Sequence, residues 1–240
     1  MLKKIIISKG RASTINTHKL LNEYVVLCPE SEKSQYEKFI DKDKIETIPD
    51  KIKGLAGVRN WVIKNYKEDV IMLDDDITAF YYIRDKAYRI KDKDVVDQIL
   101  NNVYVLAKDC GVRLFSINQT YDPKKYLPTS PFKLKGWVGS VVGIIGKDLL
   151  LDETNKVRVD VDYSLQSLMK DRMIFVDNRF AFYSKKNFNG GGNSINRSEE
   201  NLINEKKYLK EKWGKYIHFG NGKQSDLVNI RVEREDKIDI

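Results

Sequence analysis

The sequence predicts an α/β fold in which a mixed, mostly parallel β-sheet is flanked by helices. Short apolar runs that are typical of buried strands occur at residues 3–7, 24–28, 45–48 and 70–73. The segments between these runs have the polar starts and spaced apolar residues of helices. Strand and helix thus alternate along the first third of the chain, which indicates parallel strands joined by right-handed crossovers.

The length and composition are those of a globular protein. The chain has 240 residues, of which 41% are hydrophobic and 32% charged, enough for one large domain or two small ones. No apolar run approaches the roughly 20 residues needed to cross a bilayer, and the apolar start of the chain is too short for a signal peptide. Cys28 and Cys110 are predicted to be reduced thiols, which favours a cytoplasmic location.

The chain is strongly basic, with a formal net charge of +8 and a pI near 9.2. This excess predicts a polyanionic partner: nucleic acid, an anionic membrane or a phosphorylated substrate. The first strand leads into a basic loop that contains Ser8, Lys9, Gly10 and Arg11. Its glycine spacing matches neither a Walker loop nor the dinucleotide fingerprint, but its composition suits contact with a nucleotide.

Three consecutive acids, Asp74, Asp75 and Asp76, follow the strand at residues 70–73. Ligands of open α/β sheets bind at the carboxyl ends of the strands, where these acids are expected. Alternate residues of an extended segment point the same way, so Asp74 and Asp76 are expected to converge while Asp75 points elsewhere. Two carboxylates and the oxygens of a diphosphate suit Mg²⁺ or Mn²⁺. The alternative is a solvated acidic turn.

The remaining elements follow from the same patterns. Helices are expected at residues 16–22 and 31–40, from residue 55, and at 95–109 and 198–213. Further strands are expected at residues 79–83, 114–117, 137–145, 173–176, 180–183 and, at the sheet edge, 227–235. Residues 84–94 are predicted to be a charged link and residues 118–135 the rim of a cleft, while the glycine-rich residues 187–193 are predicted to close over a ligand.

A second acidic stretch contains Asp160 and Asp162. The alternation of Val157, Val159 and Val161 predicts a strand with one buried face, with both aspartates on the other face and a helix to about residue 171 behind them. Asp162 is also a suitable helix N-cap.

These segments, in this order, resemble the nucleotide-sugar glycosyltransferases of the GT-A fold. Four segments carry the resemblance: the basic loop after the first strand, Val58-Arg59-Asn60, Met72-Leu73 with the three acids, and Val159-Asp160-Val161-Asp162-Tyr163-Ser164-Leu165. The family's second acidic segment begins with glutamate where this chain has Val159. The resemblance implies one domain over residues 1–220, with a nucleotide-sugar half at 1–76, a catalytic half at 77–220 and a charged extension at 221–240.

The resemblance also implies roles for individual residues. A UDP-sugar donor is expected to contact Ser8, Lys9, Gly10, Arg11, Arg59, Asn60, Asp74 and Asp75. Mn²⁺ or Mg²⁺ is expected at Asp76, with Asp74 and the late histidine, His218. Asp160 or Asp162 is the expected catalytic base, and Asp160 is favoured because Asp162 has the alternative capping role. A base in this position implies inversion at the anomeric carbon, although retention stays open.

Within this superfamily, the chain looks most like the small TET-associated glycosyltransferases of phages, which modify hydroxylated bases in DNA. This narrower resemblance implies DNA as the acceptor. Lysines interleaved with aromatic residues suit contact with a nucleic-acid strand: Lys124, Lys125, Lys133, Lys135, Tyr121, Tyr126, Phe132 and Trp137. The alternatives are a glycan, lipid-linked or protein acceptor and, from another class, a metal-dependent nuclease or a non-catalytic nucleic-acid-binding protein.

Overall fold

The computed structural model describes residues 1–154, 158–184, 199–220 and 227–233, which form a mixed β-sheet with helices on both faces. The helices are α1 (Lys33–Tyr36), α2 (Gly54–Asn65), α3 (Lys93–Asp109), α4 (Val159–Asp171) and α5 (Glu199–Trp213). The strands are β1 (Leu2–Ile7), β2 (Val25–Pro29), β3 (Ile45–Ile48), β4 (Asp69–Asp74), β5 (Ile77–Ile83), β6 (Ala87–Ile90), β7 (Leu114–Asn118), β8 (Phe132–Lys133), β9 (Val141–Ile144), β10 (Phe175–Ser184), β11 (Ile217–Phe219) and β12 (Val228–Ile230). In the part of the chain with described coordinates, no helix is long and apolar enough to span a membrane.

The sheet has the strand order β3-β2-β1-β4-β9-β7-β10-β5-β6, with β8 paired to β10. Strands β1 to β4 pair in parallel, as the alternating pattern predicts. Strand β9 runs antiparallel to both β4 and β7, and β10 runs parallel to β7 but antiparallel to β5. The predicted mixed α/β sheet with flanking helices is confirmed.

Two apolar layers hold the helices to the sheet because neighbouring residues of its buried strands point to opposite faces. Ile6 and Leu73 belong to the layer beneath α3. Ile5 and Met72, their chain neighbours, belong to the layer beneath α2 and α4. This double burial explains why the strands appear in the sequence as continuous apolar runs.

The region of Asp160 was predicted to be a strand, and that prediction is wrong: Val159–Asp171 is helix α4. The helix is enclosed on nearly every side, so Val161, Tyr163 and Leu165 are buried together with the polar Asp162 and Ser164 between them. The alternation of apolar and polar residues in this segment therefore does not mark the two faces of a strand. It arises because the polar residues between the apolar ones are buried as well. The predicted N-cap is also wrong, because the cap is Arg158 and Asp162 lies inside the helix.

Other differences concern short elements. The helix predicted at residues 16–22 is a single 3-10 turn, Thr17–Leu20, and that at 31–40 contains only α1 after another turn. The charged link includes β6, the rim loop includes β8, and β12 pairs with β11 and not with the main sheet. The glycine-rich segment at 187–193 and most of the charged extension at 221–240 lie outside the described residues.

Gly143 is required where β9 pairs with β7. It pairs with Phe115, and a Cβ at position 143 would lie 2.1 Å from the buried Phe115 ring. Gly143→Ala should therefore destabilise the protein by about 1–3 kcal/mol, the usual cost of overpacking a core. Gly57→Ala is the matched control, because its Cβ would meet its nearest atoms at 3.6 Å in the middle of α2. Thermal melting should show a lower Tm for Gly143→Ala only; equal melting of both variants would contradict this packing argument.

Candidate active site

The candidate site lies where β1 and β4 end side by side. These two strands are parallel, and Ile7 at the end of β1 is in register with Asp74 at the end of β4. The chain order of the strands reverses around β1, whose neighbours are β2 and β4. Such a switch point is the usual ligand-binding crevice of an open α/β sheet. The basic loop after β1 and the three acids after β4 therefore reach the same edge.

Asp75 points into the protein and holds the basic loop in place. It is buried, and its carboxylate accepts hydrogen bonds from Ser8 Oγ at 2.5 Å and Arg11 Nη1 at 3.0 Å. Ser8 Oγ also lies 2.6 Å from the hydroxyl of Tyr36. Burial raises the pKa of Asp75, and the bond from Ser8 opposes that shift. The predicted donor contacts Ser8, Arg11 and Asp75 thus form a support beneath the loop.

The outer part of the same loop is accessible. Lys9 is exposed, and Gly10 adopts a φ of 67°, a left-handed conformation that favours glycine. The backbone N–H of Gly10 donates to Glu32 at 2.7 Å. The geometry leaves Lys9 as the loop's exposed cation.

Arg59 lies on α2 behind the acids. Its side chain is buried, and its Nη2 is 3.7 Å from Asp74 Oδ1. Nε and Nη1 of Arg59 are buried without a hydrogen-bond partner among the described residues. Buried N–H groups of a cation are rarely left unpaired, so these donors are suited to an anionic ligand.

Asn60, the next residue, clamps α2 to the segment before α4. Its amide nitrogen donates to the Leu151 carbonyl at 2.9 Å and to Glu153 Oε1 at 2.8 Å. Its amide oxygen accepts from the backbone N–H of Leu151 at 2.8 Å. The side chain is buried, and both its nitrogen and its oxygen are hydrogen-bonded within the protein. Asn60 therefore has a structural role in this structure, whereas the sequence predicted that it contacts the donor.

Asp76, like Asp74, is partly buried. Burial raises its pKa to about 6, and the neighbouring Asp74 and Asp75 charges add to the shift. Its Oδ1 is buried and has no hydrogen-bond partner within the described ranges. An orphan carboxylate oxygen beside a second carboxylate is chemically suited to a hard divalent cation, which would lower this pKa.

Among the described residues, His218 is not part of a metal-ligand cluster with the acids. It is exposed on β11, where it pairs with Asn229 of β12. Across residues 1–154, 158–184, 199–220 and 227–233, no three His, Cys, Asp or Glu side chains cluster as metal ligands. Mg²⁺ needs only one or two carboxylates when phosphate oxygens and waters supply the rest, so Asp74 and Asp76 remain a suitable pair. The assignment of His218 stays a prediction.

Asp160 lies in the first turn of α4, where the charges of Arg59 and Asp74 act on it. It is partly buried, and burial raises its pKa, while the Arg59 charge opposes the shift and the Asp74 charge adds to it. Arg59 therefore interacts with acids that are more than 80 positions apart in the chain, Asp74 and Asp160. A carboxylate with a raised pKa is a better proton acceptor than an ordinary surface aspartate.

Asp162 has a different environment from Asp160. Its side chain is 1% exposed and accepts a hydrogen bond from Trp213 Nε1 at 2.7 Å. Lys212 Nζ lies 3.0 Å from the same carboxylate, and Gln166 donates to it at 2.9 Å. These contacts fasten α4 to the end of α5, which leaves Asp160 as the better candidate for a base.

A second contact, which the sequence did not predict, joins the start of α4 to α5. Arg158 caps the helix with a φ of 46°, a strained conformation for a residue other than glycine. Its Nη1 donates to Glu205 of α5 at 2.8 Å, and burial raises the pKa of Glu205 to about 7. These partners on α5 are Glu205, Trp213 and Lys212. They lie 47 to 51 positions from the residues they contact, so only the tertiary fold identifies them.

A basic groove lies beside the segment that is hydrogen-bonded to α4. It has a volume of about 490 Å³, and its lining includes Lys125, Phe132, Lys133, Lys135 and Trp137, five of the eight residues predicted to contact DNA. The backbone N–H of Val138, next to Trp137, donates to Ser164 Oγ at 3.2 Å. Ser164 Oγ in turn donates to the backbone carbonyl of Asp160 at 2.6 Å.

Comparisons with known proteins agree with this architecture. A crystal structure of S. aureus TarS 1-349 in complex with UDP-GlcNAc matches with a TM-score of 0.51 at 15% identity, covering 81% of this chain and 61% of that chain. A second crystal structure of TarS 1-349 has a TM-score of 0.48 at 14% identity, with coverage of 76% and 59%. At these identities, the similarity shows the fold alone, and the chain spans about three fifths of the solved TarS fragment.

Among curated proteins, none matches this sequence significantly. The sequence profile of the TET-Associated Glycosyltransferase family matches residues 3–193, most of the chain. The fold predicted from the resemblance to nucleotide-sugar glycosyltransferases is confirmed, and the nuclease and non-catalytic alternatives are not supported. The chain belongs to the TET-Associated Glycosyltransferase family and has a GT-A-like fold.

Proposed function

We propose that this enzyme transfers a sugar from a UDP-sugar to the hydroxyl group of a hydroxymethylated pyrimidine base in DNA, in a reaction that depends on Mn²⁺ or Mg²⁺. One observation carries the proposal: Arg59 Nη2 lies 3.7 Å from Asp74 Oδ1 at the edge where β1 and β4 end, and the charges of both residues act on the pKa of Asp160. This arrangement puts a candidate phosphate-binding cation and a candidate base in one charge cluster. Family membership supports the reaction class.

The donor is proposed to lie over the ends of β1 and β4. The exposed Lys9 is suited to contact its uridine or phosphates, and the unpaired Nε and Nη1 of Arg59 are suited to its diphosphate. Arg11, which Asp75 holds, supports the loop from beneath. TarS, which has a similar fold, was solved in complex with UDP-GlcNAc. That similarity, together with the basic loop after the first strand of this chain, supports a UDP-sugar donor here.

Asp76 and Asp74 are the residues proposed to hold the divalent cation, with His218 as a further predicted ligand. When bound, the cation supplies Lewis acidity that neutralises charge on the departing diphosphate. Asp74 is also suited to reach the donor ribose or a metal-bound water. Removing the cation with a chelator should abolish transfer.

Asp160 is proposed to act as the general base. It accepts the proton of the acceptor hydroxyl as that oxygen forms a bond to the anomeric carbon of the sugar. The bond between the anomeric carbon and the diphosphate breaks in the same step, and its electron pair leaves with UDP. Attack opposite the leaving group inverts the anomeric centre, so the product's configuration tests this assignment.

The proposed DNA acceptor is supported by the basic groove beside α4. Lys125, Lys133 and Lys135 are suited to contact phosphates, while Phe132 and Trp137 are suited to contact bases. The target base must leave the duplex stack to reach Asp160, as it does in other enzymes that act on bases. We further propose a cytoplasmic location, since a DNA acceptor is accessible there.

The experiment is a product assay with separate donor and acceptor arms. A panel of UDP-sugars with Mn²⁺ is incubated without acceptor, with hydroxymethylated DNA, with unmodified DNA, or with a glycan, and released UDP is measured. Mass spectrometry of the digested DNA should show a glycosylated nucleoside only in the hydroxymethylated arm. UDP release without DNA glycosylation, but with a modified glycan, would contradict the proposed acceptor.

The raised pKa of Asp76 predicts a pH dependence for metal activation. A carboxyl group must be ionised to bind the cation, so protonation of Asp76 below pH 6 competes with Mn²⁺. The Mn²⁺ concentration that half-activates UDP release should therefore rise about 10-fold per pH unit below that value, as expected for one competing proton. A half-activating concentration unchanged between pH 5 and pH 7 would contradict the role of Asp76.

A further inference from the structure

Three tyrosines form an exposed aromatic cluster outside the site described above. Tyr81 lies on β5, Tyr121 follows β7, and Tyr183 lies near the end of β10. The rings of Tyr81 and Tyr121 are stacked, with centroids 4.8 Å apart and an interplanar angle of 15°. Tyr183 meets Tyr121 edge-on at 5.4 Å. Tyr121 and Tyr183 are each 41% exposed, so this cluster is a surface feature.

The cluster begins at the mouth of the proposed metal site. Tyr183 immediately precedes Ser184, which is in register with Ile77, the residue after Asp76. The hydroxyl of Thr78 donates to the Tyr183 carbonyl at 3.3 Å, which fixes this strand end. A ligand bound across the three tyrosines would therefore have one end near Asp76 and would extend away from it.

Cationic side chains flank the aromatic rings. Arg89 of β6 is in register with Tyr81, so both side chains lie on the same face of the sheet, and Arg89 is exposed. Lys124 and Lys125 follow Tyr121 in the next turn, and Lys125 also lines the basic groove. The rings thus lie between Arg89 on one side and Lys124 and Lys125 on the other, and Lys125 connects the cluster with the basic groove.

Space for a planar ligand lies beside Tyr121. A cleft of about 490 Å³ is lined by Ala87, Thr120, Tyr121, Asp122 and Pro123. That volume is within the range of about 300–1,000 Å³ typical of small-ligand sites. Exposed aromatic rings with neighbouring cations are the combination by which proteins bind unpaired nucleic-acid strands, because bases stack on the rings and phosphates contact the cations.

We infer that Tyr121, supported by Tyr81 and Tyr183, is a stacking platform for an unpaired base of the acceptor DNA, next to the base that is modified. The inference rests on the proposed DNA acceptor and extends it, because a stacking platform requires a locally single-stranded or opened segment. Arg89 contacts the phosphate of that segment. Tyr121 is a positioning residue for the acceptor and has no part in donor chemistry.

The test uses an oligonucleotide that carries a hydroxymethylated pyrimidine flanked by the fluorescent base 2-aminopurine. Tyr121→Leu should raise the Kd for this oligonucleotide about 10-fold and abolish the fluorescence quenching that stacking produces. Tyr121→Phe should behave as the wild type, and release of UDP without DNA should be equal in all three proteins. Tyr88→Leu is the matched control, because Tyr88 is 40% exposed but contacts Tyr82 on the opposite face of the hairpin.

Arg89→Gln provides a second variant in case Tyr121→Leu folds poorly. It should weaken binding and reduce the slope of log Kd against log salt by about one unit, as expected for one lost phosphate contact. Wild-type affinity and quenching in folded Tyr121→Leu would overturn the inference but leave the proposed function intact. If the wild-type enzyme releases UDP yet neither binds nor modifies the oligonucleotide, the proposed acceptor fails and this inference fails with it.

Discussion

Asp160→Asn should lower kcat for sugar transfer by about 10²–10⁴-fold, the usual contribution of a positioned general base. The amide keeps the shape of the side chain but cannot accept the proton of the acceptor hydroxyl. Binding of the donor should be little affected, because Asp160 is assigned to the acceptor side of the reaction. Single-turnover transfer to hydroxymethylated DNA, with donor affinity measured in parallel, separates the two effects.

The neighbouring acid provides an internal control for this prediction. Because burial raises the pKa of Asp160, its charge is unfavourable to the folded state above that pKa, and Asp160→Asn should raise the Tm at neutral pH. Asp162→Ala should instead lower the Tm, because Lys212 and Trp213 lose a buried partner. Asp109→Asn, exposed at the end of α3, should change neither quantity. An Asp160→Asn enzyme with wild-type kcat would contradict the assignment of the base.

Asp76→Asn should reduce metal-dependent transfer to background and should also stabilise the metal-free protein. The first effect follows from loss of a charged ligand beside the diphosphate. The second follows from the pKa of about 6, because ionising Asp76 near neutral pH is disfavoured in the folded state. The gain in Tm should be present at pH 7.5 and should disappear below about pH 3, where the carboxyl is protonated in both folded and unfolded states.

Melting curves with and without Mn²⁺ check both parts of the Asp76 prediction. Mn²⁺ with UDP should raise the Tm of the wild type and leave Asp76→Asn unchanged. A variant that keeps Mn²⁺-dependent stabilisation and transfers sugar at the wild-type rate would show that the cation lies elsewhere.

The sequence was most informative where local patterns and tertiary structure agree. The strands of the parallel half were predictable because burial on both faces makes them continuous apolar runs. The end of β4 was predictable as a site because three adjacent carboxylates are costly anywhere but at a solvated edge or near a cation. The position of Asp160 was harder to interpret because α4 is enclosed on nearly all sides and has no polar stripe.

The supporting contacts of the site had no local signal. Asp75 and Asp76 are adjacent and identical in type, yet Asp75 is held by Ser8 and Arg11 while Asp76 has a buried oxygen without a partner in the described part of the structure. The same holds for Asp162, whose contact with Trp213 spans 51 positions. The different roles of Asp75, Asp76 and Asp162 depend on which distant segments lie beside them. Only the folded structure shows this.

Binding of UDP to the wild type and to Asp76→Asn, measured by calorimetry with and without Mn²⁺, tests most directly whether the nucleotide lies over the ends of β1 and β4. We predict that Mn²⁺ strengthens UDP binding to the wild type at pH 7.5 and has no effect on the variant. Equal UDP affinity in both proteins, with Mn²⁺ present or absent, would contradict this placement of the donor.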